Sequence, residues 1–422
     1  MNWKVINGNN IDILKEYPDN HFDSIVTDPP YGIAFLGKDW DNNTGAMETW
    51  EECFRVLKPG GHILAFSAAR TYHHLATNVE MAGFEIRDQL MWLYGSGFPK
   101  AQDIGKAIDK RKNKREGNTN YSSMISRDHN KCKQCGKTNV QLGIGFNCRV
   151  DDCRLKELLK PADNEWSGWK TALKPAHEPI VMARKPFSGS AIDNVLEHGV
   201  GALNIDASRI PWSGETPVLS KRGGYHNTTE MSDAMTSALK PEQVPQASEQ
   251  GRFPSNVIMD EEAGAILDEQ APRVGNASSS KRTKTGMTGT GASLQWHKNA
   301  GESNGISDGL SGASKFFYCP KVSRKERHTN GEAENNHPTV KPVELMKYLV
   351  KLVTPEGGRV LDPFNGSGST GMACVELGYD YTGCELDPDY VEIANNRIRA
   401  WYEHTRPDTN YDDLFEERLL NE

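Results

Sequence analysis

The chain has 422 residues, 36% of them hydrophobic and 25% charged. These are ordinary values for a globular protein of two to three domains, or of one large domain with insertions. No apolar run approaches the roughly 20 residues needed to cross a membrane, and Met1-Asn2-Trp3-Lys4 lacks the apolar core of a signal peptide. We therefore expect a cytoplasmic protein, without membrane association, whose eight cysteines are thiols or metal ligands rather than disulfides.

Charge is distributed unevenly along the chain. The net charge is −8, yet residues 100–185 contain 19 Lys and Arg against 10 Asp and Glu, which leaves −17 for the remainder. A basic segment on an acidic body predicts a localised surface that contacts phosphate groups. A solvated insertion with a chance bias in composition is the alternative.

The first 95 residues alternate short apolar runs with amphipathic stretches. Such alternation predicts strands and helices in turn, and hence a largely parallel sheet covered on both faces. The expected strands are residues 3–7, 25–26, 62–66 and 85–94, and the expected helices are residues 12–17, 47–57 and 72–81. Lys58-Pro59-Gly60-Gly61 is expected to end the second helix.

Residues 96–330 interrupt this pattern, and within them residues 271–313 are rich in Gly, Ser and Thr, so we expect that part to be flexible. The alternation returns near His337. The expected helices there are residues 339–353, 371–378 and 388–402, and the expected strands are 359–361 and 381–384. A second β-α-β unit is thus predicted at the other end of the chain.

The apolar run Ile25-Val26 leads into Asp28-Pro29-Pro30-Tyr31. Proline cannot donate a backbone hydrogen bond, so two prolines make the chain leave the sheet in a rigid turn. Asp28 can then accept a hydrogen bond from an exocyclic amino group, and the Tyr31 ring can stack on a flat ligand. From these four residues alone, a proline-rich turn with a capping aspartate is the alternative.

A glycine-rich loop, Asp362 to Gly371, leads from a predicted strand into a predicted helix. Glycines let a ligand approach the backbone closely, and the helix N-terminus offers free N–H groups. Glu385, at the end of the next strand, can hold ribose hydroxyls. The spacing of Gly366, Gly368 and Gly371 also fits the dinucleotide fingerprint G-x-G-x-x-G, so an NAD-dependent oxidoreductase is an alternative, as is a tight turn without a ligand.

Together these segments resemble the DNA amino-methyltransferases. Asp28-Pro29-Pro30-Tyr31 looks like their catalytic motif, and Phe364-Asn365-Gly366-Ser367-Gly368 looks like their S-adenosylmethionine motif. His337-Pro338-Thr339-Val340-Lys341-Pro342 resembles their helix-opening motif beside the methionine end of the cofactor. The catalytic motif precedes the cofactor motif across a long insertion, an order similar to that of the circularly permuted beta class, with further likeness to phage or prophage members.

The resemblance implies an α/β, Rossmann-like S-adenosylmethionine-dependent methyltransferase fold, circularly permuted, with a large inserted target-recognition region. Residues 1–95 are then the catalytic half, 96–330 the target-recognition insertion and 331–422 the cofactor-binding half. The implied catalytic residues are Asp28, Pro29, Pro30 and Tyr31. The implied cofactor-binding residues are Asn9, Asp28, Lys341, Asp362, Phe364, Gly366, Gly368, Ser369, Thr370 and Glu385.

The implied reaction is methyl transfer to the exocyclic N6 of adenine in double-stranded DNA. Asp28 at the first motif position is similar to the N6-adenine members, whereas serine is commoner in N4-cytosine enzymes, which remain the alternative. The chain departs from the family after Gly8, where Asn9 replaces a frequent aspartate, although an asparagine amide can still hydrogen-bond to the adenine of the cofactor. The resemblance leaves open the recognition sequence, homodimerisation and a cognate restriction enzyme.

Four cysteines in the basic segment have the spacing of a metal site. Cys132, Cys135, Cys148 and Cys153 form C-x2-C and C-x4-C pairs separated by twelve residues. Two close pairs of thiolates can surround one Zn²⁺ tetrahedrally, which predicts a structural zinc knuckle within residues 130–155. Unligated cysteines are the alternative for the site, and a non-catalytic zinc-containing DNA-binding protein is a further alternative for the whole chain.

Overall fold

The computed structural model describes residues 2–33, 43–95, 97, 101–115, 140–143, 145–148, 164–211, 251–270, 314, 317–318, 335 and 340–405. The contacts among these residues define two compact units, one made of the residues up to Gly95 and from His177 onward, the other of residues from Ser96 to Ala176. Within the described residues, no helix is both long and apolar enough to span a membrane. Residues 271–313, expected to be flexible, lie outside the described residues.

The described part of the first unit is built on one sheet of eight strands. Its strands are β1 Trp3–Asn7, β2 Phe22–Thr27, β3 Leu57–Phe66, β4 Glu85–Leu93, β7 His177–Arg184, β8 Val257–Met259, β9 Arg359–Asp362 and β10 Asp380–Glu385. They lie side by side in the order β1-β10-β9-β2-β3-β7-β4-β8. Neighbours are parallel except where β7 runs antiparallel to β3 and to β4. The prediction of a largely parallel α/β sheet is confirmed.

Helices connect most of these strands. The helices of the first unit are α1 Asn10–Lys15, α2 Met47–Val56, α3 Tyr72–Met81, α5 Ala191–His198, α6 Glu261–Gln270, α7 Val343–Val353, α8 Ser369–Leu377 and α9 Pro388–Thr405. A short 3₁₀-helix spans Asp206–Ser208. The described part of the second unit contains α4 Ile104–Arg115 and an antiparallel pair, β5 Val140–Gly143 and β6 Gly145–Cys148.

The core lies on both faces of the sheet because the central strands are apolar on both sides. All six residues of β2 are buried, and their side chains alternate between the faces. Val26 belongs to the cluster under α7 and α8, whereas the neighbouring Ile25 belongs to the cluster under α1, α2 and α3. This two-sided burial anchors the ends of the central strands, where both predicted motifs lie.

The structure differs from the sequence-based expectation within residues 96–330. Strand β7 and strand β8 belong to the main sheet, since β7 pairs with β3 and β4, and β8 pairs with β4. The second unit ends at Ala176, and the target-recognition role of residues 96–330 stays a prediction. Lys58-Pro59-Gly60-Gly61 does end α2, but it already lies within β3, because Leu57 pairs with Phe22 before a bulge in the ladder.

Candidate active site

The two predicted motifs lie at the carboxyl ends of adjacent strands. Strand β2 pairs in parallel with β9, with Ile25 opposite Leu361, so Asp28 and Asp362 meet at the same edge of the sheet. Thr27 Oγ1 donates a hydrogen bond to Asp362 Oδ1 at 2.6 Å, across 335 positions of sequence. The ends of open parallel sheets are where such folds bind ligands. The predicted catalytic turn and the predicted cofactor loop are thus joined directly.

Among the described residues, two side chains donate hydrogen bonds to Asp28. Tyr31 Oη donates to its Oδ1 at 2.8 Å, and the Lys341 ammonium donates to its Oδ2 at 2.5 Å. Lys341 also donates to Tyr31 Oη at 3.0 Å and lies 4.8 Å from the centre of the Phe66 ring. Pro29 is buried, which fixes the turn between the carboxylate and the ring.

Glu178, which the sequence did not identify as a site residue, completes this cluster. Its Oε2 lies 2.9 Å from Tyr31 Oη, within hydrogen-bond distance as an alternative acceptor, and 3.3 Å from Lys341 Nζ. The Lys341 side chain is 7% exposed, against 23% for Asp28 and 21% for Glu178. One buried ammonium therefore faces two partly buried carboxylates.

The electrostatics of the cluster follow from this arrangement. Burial, reinforced by the carboxylates of Asp28 and Glu178, raises the pKa of the Tyr31 hydroxyl well above its usual value, so the hydroxyl keeps its proton. Burial alone lowers the pKa of Lys341, but attraction to Asp28 and Glu178 outweighs it and the pKa is raised. Lys341 is therefore a permanent cation beside Asp28 at neutral pH.

The loop after β9 takes a backbone conformation that glycine favours. Gly366 and Gly368 have φ of +52° and +84°, and Gly368 is the N-cap of α8, so the loop turns sharply into the helix N-terminus. Ser369 and Thr370 form the buried first turn of that helix, whose N–H groups lack partners within the helix. Phe364 is half-buried against Trp50, with 5.7 Å between the ring centres.

Asp362 holds the loop to the sheet. Its carboxylate accepts hydrogen bonds from Thr27 Oγ1, from Thr370 Oγ1 at 2.7 Å and from the Phe364 N–H at 3.1 Å. Burial raises the pKa of Asp362 to about 6, although these three hydrogen bonds oppose the shift. These contacts join the end of β2 to the glycine-rich loop, and a contact between Asp362 and the cofactor stays a prediction.

Glu385, at the end of β10, faces the same loop. One carboxylate oxygen accepts the Gly366 N–H at 2.8 Å, and the other accepts the Asp387 N–H at 3.0 Å. Burial raises the pKa of Glu385. The adjacent Asn365 accepts from Tyr381 Oη at 2.7 Å, so Glu385 and Tyr381 fix the loop to β10 at two points. Within the loop, the Asn365 amide donates to the Gly366 carbonyl at 2.8 Å.

Asn9 lies at the start of α1, near the other end of the chain. Its side-chain oxygen caps the helix by accepting from the Ile11 N–H at 2.9 Å, and the residue is exposed. The next residue, Asn10, contacts the loop directly, because its amide donates to the Pro363 carbonyl at 3.0 Å. A contact between Asn9 and the cofactor stays a prediction.

The predicted zinc ligands fall largely outside the described residues. Cys132, Cys135 and Cys153 are not described, and Cys148 is described only as the last backbone position of β6. Within the described ranges, no three His, Cys, Asp or Glu side chains are grouped so as to hold a metal ion. Structural zinc stays a prediction.

Known proteins are similar to the whole of this chain or to part of it. The Type II methyltransferase M.HindIII of Haemophilus influenzae is 22% identical over 93% of this chain and 94% of its own. M.SmaI of Serratia marcescens is 39% identical over 21% of this chain and 36% of its own. The solved structure of the PvuII DNA methyltransferase (cytosine-N4-specific) aligns with all of this chain and 93% of its own at 12% identity, with a TM-score of 0.42.

A family model decides the assignment. The model for the DNA methylases termed N6_N4_Mtase matches residues 22–396 and so spans both motifs and all the residues between them. With the α/β sheet described above, this match confirms the predicted Rossmann-like methyltransferase fold and decides against the NAD-dependent oxidoreductase. The chain therefore belongs to the N6/N4 DNA methylase family.

Proposed function

We propose that this chain transfers a methyl group from S-adenosylmethionine to the exocyclic N6 of adenine in double-stranded DNA, with Asp28-Pro29-Pro30-Tyr31 as the catalytic motif. Its family makes it a DNA methyltransferase that uses S-adenosylmethionine. The choice of adenine, the roles of individual residues and a target-recognition role for the basic insertion belong to the proposal.

The strongest support for the proposal is the hydrogen bond from Thr27 to Asp362. Thr27 immediately precedes Asp28, and Asp362 begins the glycine-rich loop. A methyl donor in that loop and an acceptor at Asp28 are then neighbours at one edge of the sheet, as a direct transfer requires. The parallel pairing of β2 with β9 supports this placement.

The loop fits a nucleoside-bearing cofactor. Gly366 and Gly368 keep the backbone free of side chains where a ligand approaches, the first turn of α8 offers N–H groups, and Glu385 offers a carboxylate for ribose hydroxyls. We assign cofactor binding to these residues together with Phe364 and Asp362. When bound, S-adenosylmethionine supplies an electrophilic methyl group on a sulfonium centre.

Asp28 and Tyr31 act on the target base. A base inside a duplex is inaccessible, so the nucleotide must be extruded, at a cost of a few kcal/mol. The Tyr31 ring stacks on the extruded base, which is worth about 1–3 kcal/mol. Asp28 and the Pro29 carbonyl accept hydrogen bonds from the amino group, which draws its nitrogen toward tetrahedral geometry and directs the lone pair at the methyl group.

Transfer is direct in this account. The nitrogen forms the new N–C bond, the C–S bond breaks with its electron pair left on sulfur, and the amino group then loses one proton. Asp28 is the carboxylate placed to hold that hydrogen. Cys53, Cys374 and Cys384 are buried, and burial raises the pKa of each thiol, so the three remain packing residues instead of nucleophiles.

Adenine is favoured over cytosine by the aspartate at position 28. N4-cytosine methylation remains the second candidate, because the family includes enzymes of both kinds, as the name of its model states. The two targets share an exocyclic amino group beside a ring nitrogen, so Asp28 and Tyr31 can serve either one.

The test is to incubate the full chain with duplex DNA of mixed sequence and S-adenosylmethionine labelled on its methyl group, and to separate the nucleosides after digestion. The proposal predicts label in N6-methyladenine. Label in N4-methylcytosine replaces the adenine assignment with the second candidate, and absence of label from DNA of every sequence tested contradicts the function itself.

A further inference from the structure

Glu178 shares both of its partners with Asp28. Tyr31 Oη lies 2.8 Å from Asp28 Oδ1 and 2.9 Å from Glu178 Oε2, and Lys341 Nζ lies 2.5 Å from Asp28 Oδ2 and 3.3 Å from Glu178 Oε2. The same hydroxyl and the same ammonium thus serve two carboxylates. Glu178 has no part in the function proposed above.

The strand order brings Glu178 to this position. Strand β7 runs antiparallel to β3, with Ile180 opposite Phe66, so the first residues of β7 lie beyond the carboxyl end of β3. Strand β3 is parallel to β2, with Ala65 opposite Thr27. Glu178 therefore reaches the edge of the sheet at which Asp28 leaves β2, although 150 positions separate them in sequence.

Asp28 has to rearrange its hydrogen bonds when a base enters. In this structure one of its oxygens accepts from Tyr31 and the other accepts from Lys341. The hydroxyl of Tyr31 has a single proton, which it can donate to one carboxylate at a time. When Asp28 accepts a hydrogen bond from the amino group of the base, the Tyr31 hydroxyl proton needs another acceptor. Glu178 Oε2 is 2.9 Å from Tyr31 Oη and can accept it.

Lys341 also loses a hydrogen-bond partner when Asp28 turns to the base. Its side chain is only 7% exposed, so water cannot readily replace a lost partner. A buried charge that loses its partner is strongly unfavourable. With Glu178 beside it, the ammonium keeps an anionic acceptor while Asp28 turns to the substrate.

We propose that Glu178 is a positioning residue, the second carboxylate that takes over the hydrogen bonds of Tyr31 and Lys341 while Asp28 binds the amino group of the target base. This inference rests on the proposed function of Asp28. Glu178 acts through Tyr31 and Lys341 and has no contact with the base or the cofactor in this account. Its loss therefore impairs the transfer step and leaves the binding of DNA and cofactor intact.

The test compares Glu178→Gln and Glu178→Ala with the wild type in single-turnover methyl transfer. The glutamine variant keeps an acceptor oxygen for Tyr31 but removes the charge that faces Lys341, and the alanine variant removes both. We expect the transfer rate to fall about tenfold in Glu178→Gln and about a hundredfold in Glu178→Ala, while KM for the cofactor stays within about twofold.

Glu376→Gln is the matched control. Glu376 also pairs with a lysine, Lys347, and its side chain is 23% exposed, close to the 21% of Glu178. It lies outside the Asp28 cluster, so its transfer rate should match that of the wild type. Any shared loss of stability between the two variants is thereby separated from the specific loss of rate.

A second readout distinguishes positioning from base entry. DNA with 2-aminopurine at the target position gains fluorescence when that base is extruded. The gain should persist in Glu178→Gln, because the variant is impaired only after extrusion. If Glu178→Ala fails to fold, the isosteric glutamine variant carries both readouts.

Two results overturn the inference: a Glu178→Gln transfer rate within about twofold of the wild type, or a lost fluorescence gain, which assigns Glu178 to base entry. Failure of the proposed function looks different, because the wild type itself then leaves adenine in DNA unmethylated. The wild-type measurement comes first, so the two failures cannot be confused.

Discussion

Thr27 donates a hydrogen bond to Asp362 at 2.6 Å, and this contact joins the segment that contains the proposed catalytic motif to the glycine-rich loop. Thr27 fixes the backbone position from which Asp28 projects, and Asp362 fixes the start of the cofactor loop through its bonds to Thr370 and to the Phe364 N–H. The relative position of the two motifs therefore depends on buried side chains as well as on the pairing of β2 with β9.

The buried carboxylate of Asp362 makes stability depend on pH. Burial raises its pKa to about 6, above the unfolded value of 3.8, so the folded chain binds this proton more tightly than the unfolded chain does. Its contribution to stability is then present below pH 3.8 and is lost as the pH rises to about 6. A shift of about two pKa units corresponds to about 3 kcal/mol.

The measurement is denaturant unfolding of the wild type and of Asp362→Asn across the range from about pH 4 to about pH 7. As the pH rises between these limits, the free energy of unfolding of the wild type should fall by about 3 kcal/mol relative to that of the variant. Asp19→Asn is the control, because Asp19 is 70% exposed. Parallel curves for the wild type and Asp362→Asn contradict the assignment of a raised pKa to this carboxyl.

Lys341 and Lys347 allow a paired comparison. Lys341 faces Asp28 and Glu178, whereas Lys347 pairs with Glu344 and Glu376 on the helices α7 and α8. Each change to methionine removes a partly buried ion pair, and we expect each to destabilise the fold by about 3 kcal/mol. Only Lys341→Met should also reduce the rate of methyl transfer, by a factor on the order of ten or more. The reason is that this change takes the Lys341 ammonium away from the carboxylates of Asp28 and Glu178.

The measurement is the single-turnover rate together with the free energy of unfolding for both variants. Equal rates in Lys341→Met and Lys347→Met, after correction for the folded fraction, argue against a functional role for the Lys341 ammonium.

Gly383 tests how the cofactor loop is supported. A Cβ at this position would press against Asn365 Oδ1 and lie 2.8 Å from Asn365 Cγ, too close for any side chain. Because Asn365 holds the Gly366 carbonyl, Gly383→Ala should displace the loop. We expect affinity for S-adenosylmethionine, measured by calorimetry, to fall by a factor on the order of ten or more.

Gly378→Ala is the control for that experiment. Gly378 has a φ of +82°, and a Cβ added there would meet no neighbouring atom of the described residues within 4 Å, so alanine adds backbone strain without a clash. The strain costs about 1–2 kcal/mol, while cofactor affinity should be unchanged. Equal cofactor affinity in both variants would contradict the claim that Asn365 supports the loop.

The sequence predicts the strand and helix pattern well where periodicity is strong. Helix α3 spans Tyr72–Met81 as expected, and the strands at residues 3–7 and 359–362 lie where their apolar runs indicate. In these segments local signals agree with the packing, since caps and breakers such as Gly83 and Gly378 coincide with the element ends.

Strand β7 was less predictable. Its apolar run, Ile180 to Ala183, is short and lies between polar residues near the end of the basic segment, so nothing local distinguishes it from a buried turn. Its place between β3 and β4 is decided by pairing with strands about 100 residues earlier. The same reason hides Glu178, whose contact with Tyr31 spans 147 positions.

In the candidate site, too, local motifs are visible in the sequence, whereas contacts between distant residues are not. Asp28, Tyr31 and the glycine loop are local motifs, so residue types and spacing could mark them as candidates, and the resemblance to a known family gave them their expected roles. The pairing of Lys341 with Asp28 is a tertiary contact between residues 313 positions apart. The sequence indicated only that Lys341 lies beside the cofactor. A role for Lys341 toward the cofactor stays a prediction.

The most direct test of the central claim is single-turnover methyl transfer by Asp28→Ala, with Asp19→Ala as the exposed control. Lys341 keeps Glu178 as a partner in this variant, so the chain should fold and bind the cofactor. The proposed role of Asp28 requires that Asp28→Ala lose methyl transfer to adenine by a factor on the order of a hundred or more, while Asp19→Ala retains it. A folded Asp28→Ala variant that methylates DNA at the wild-type rate would contradict it.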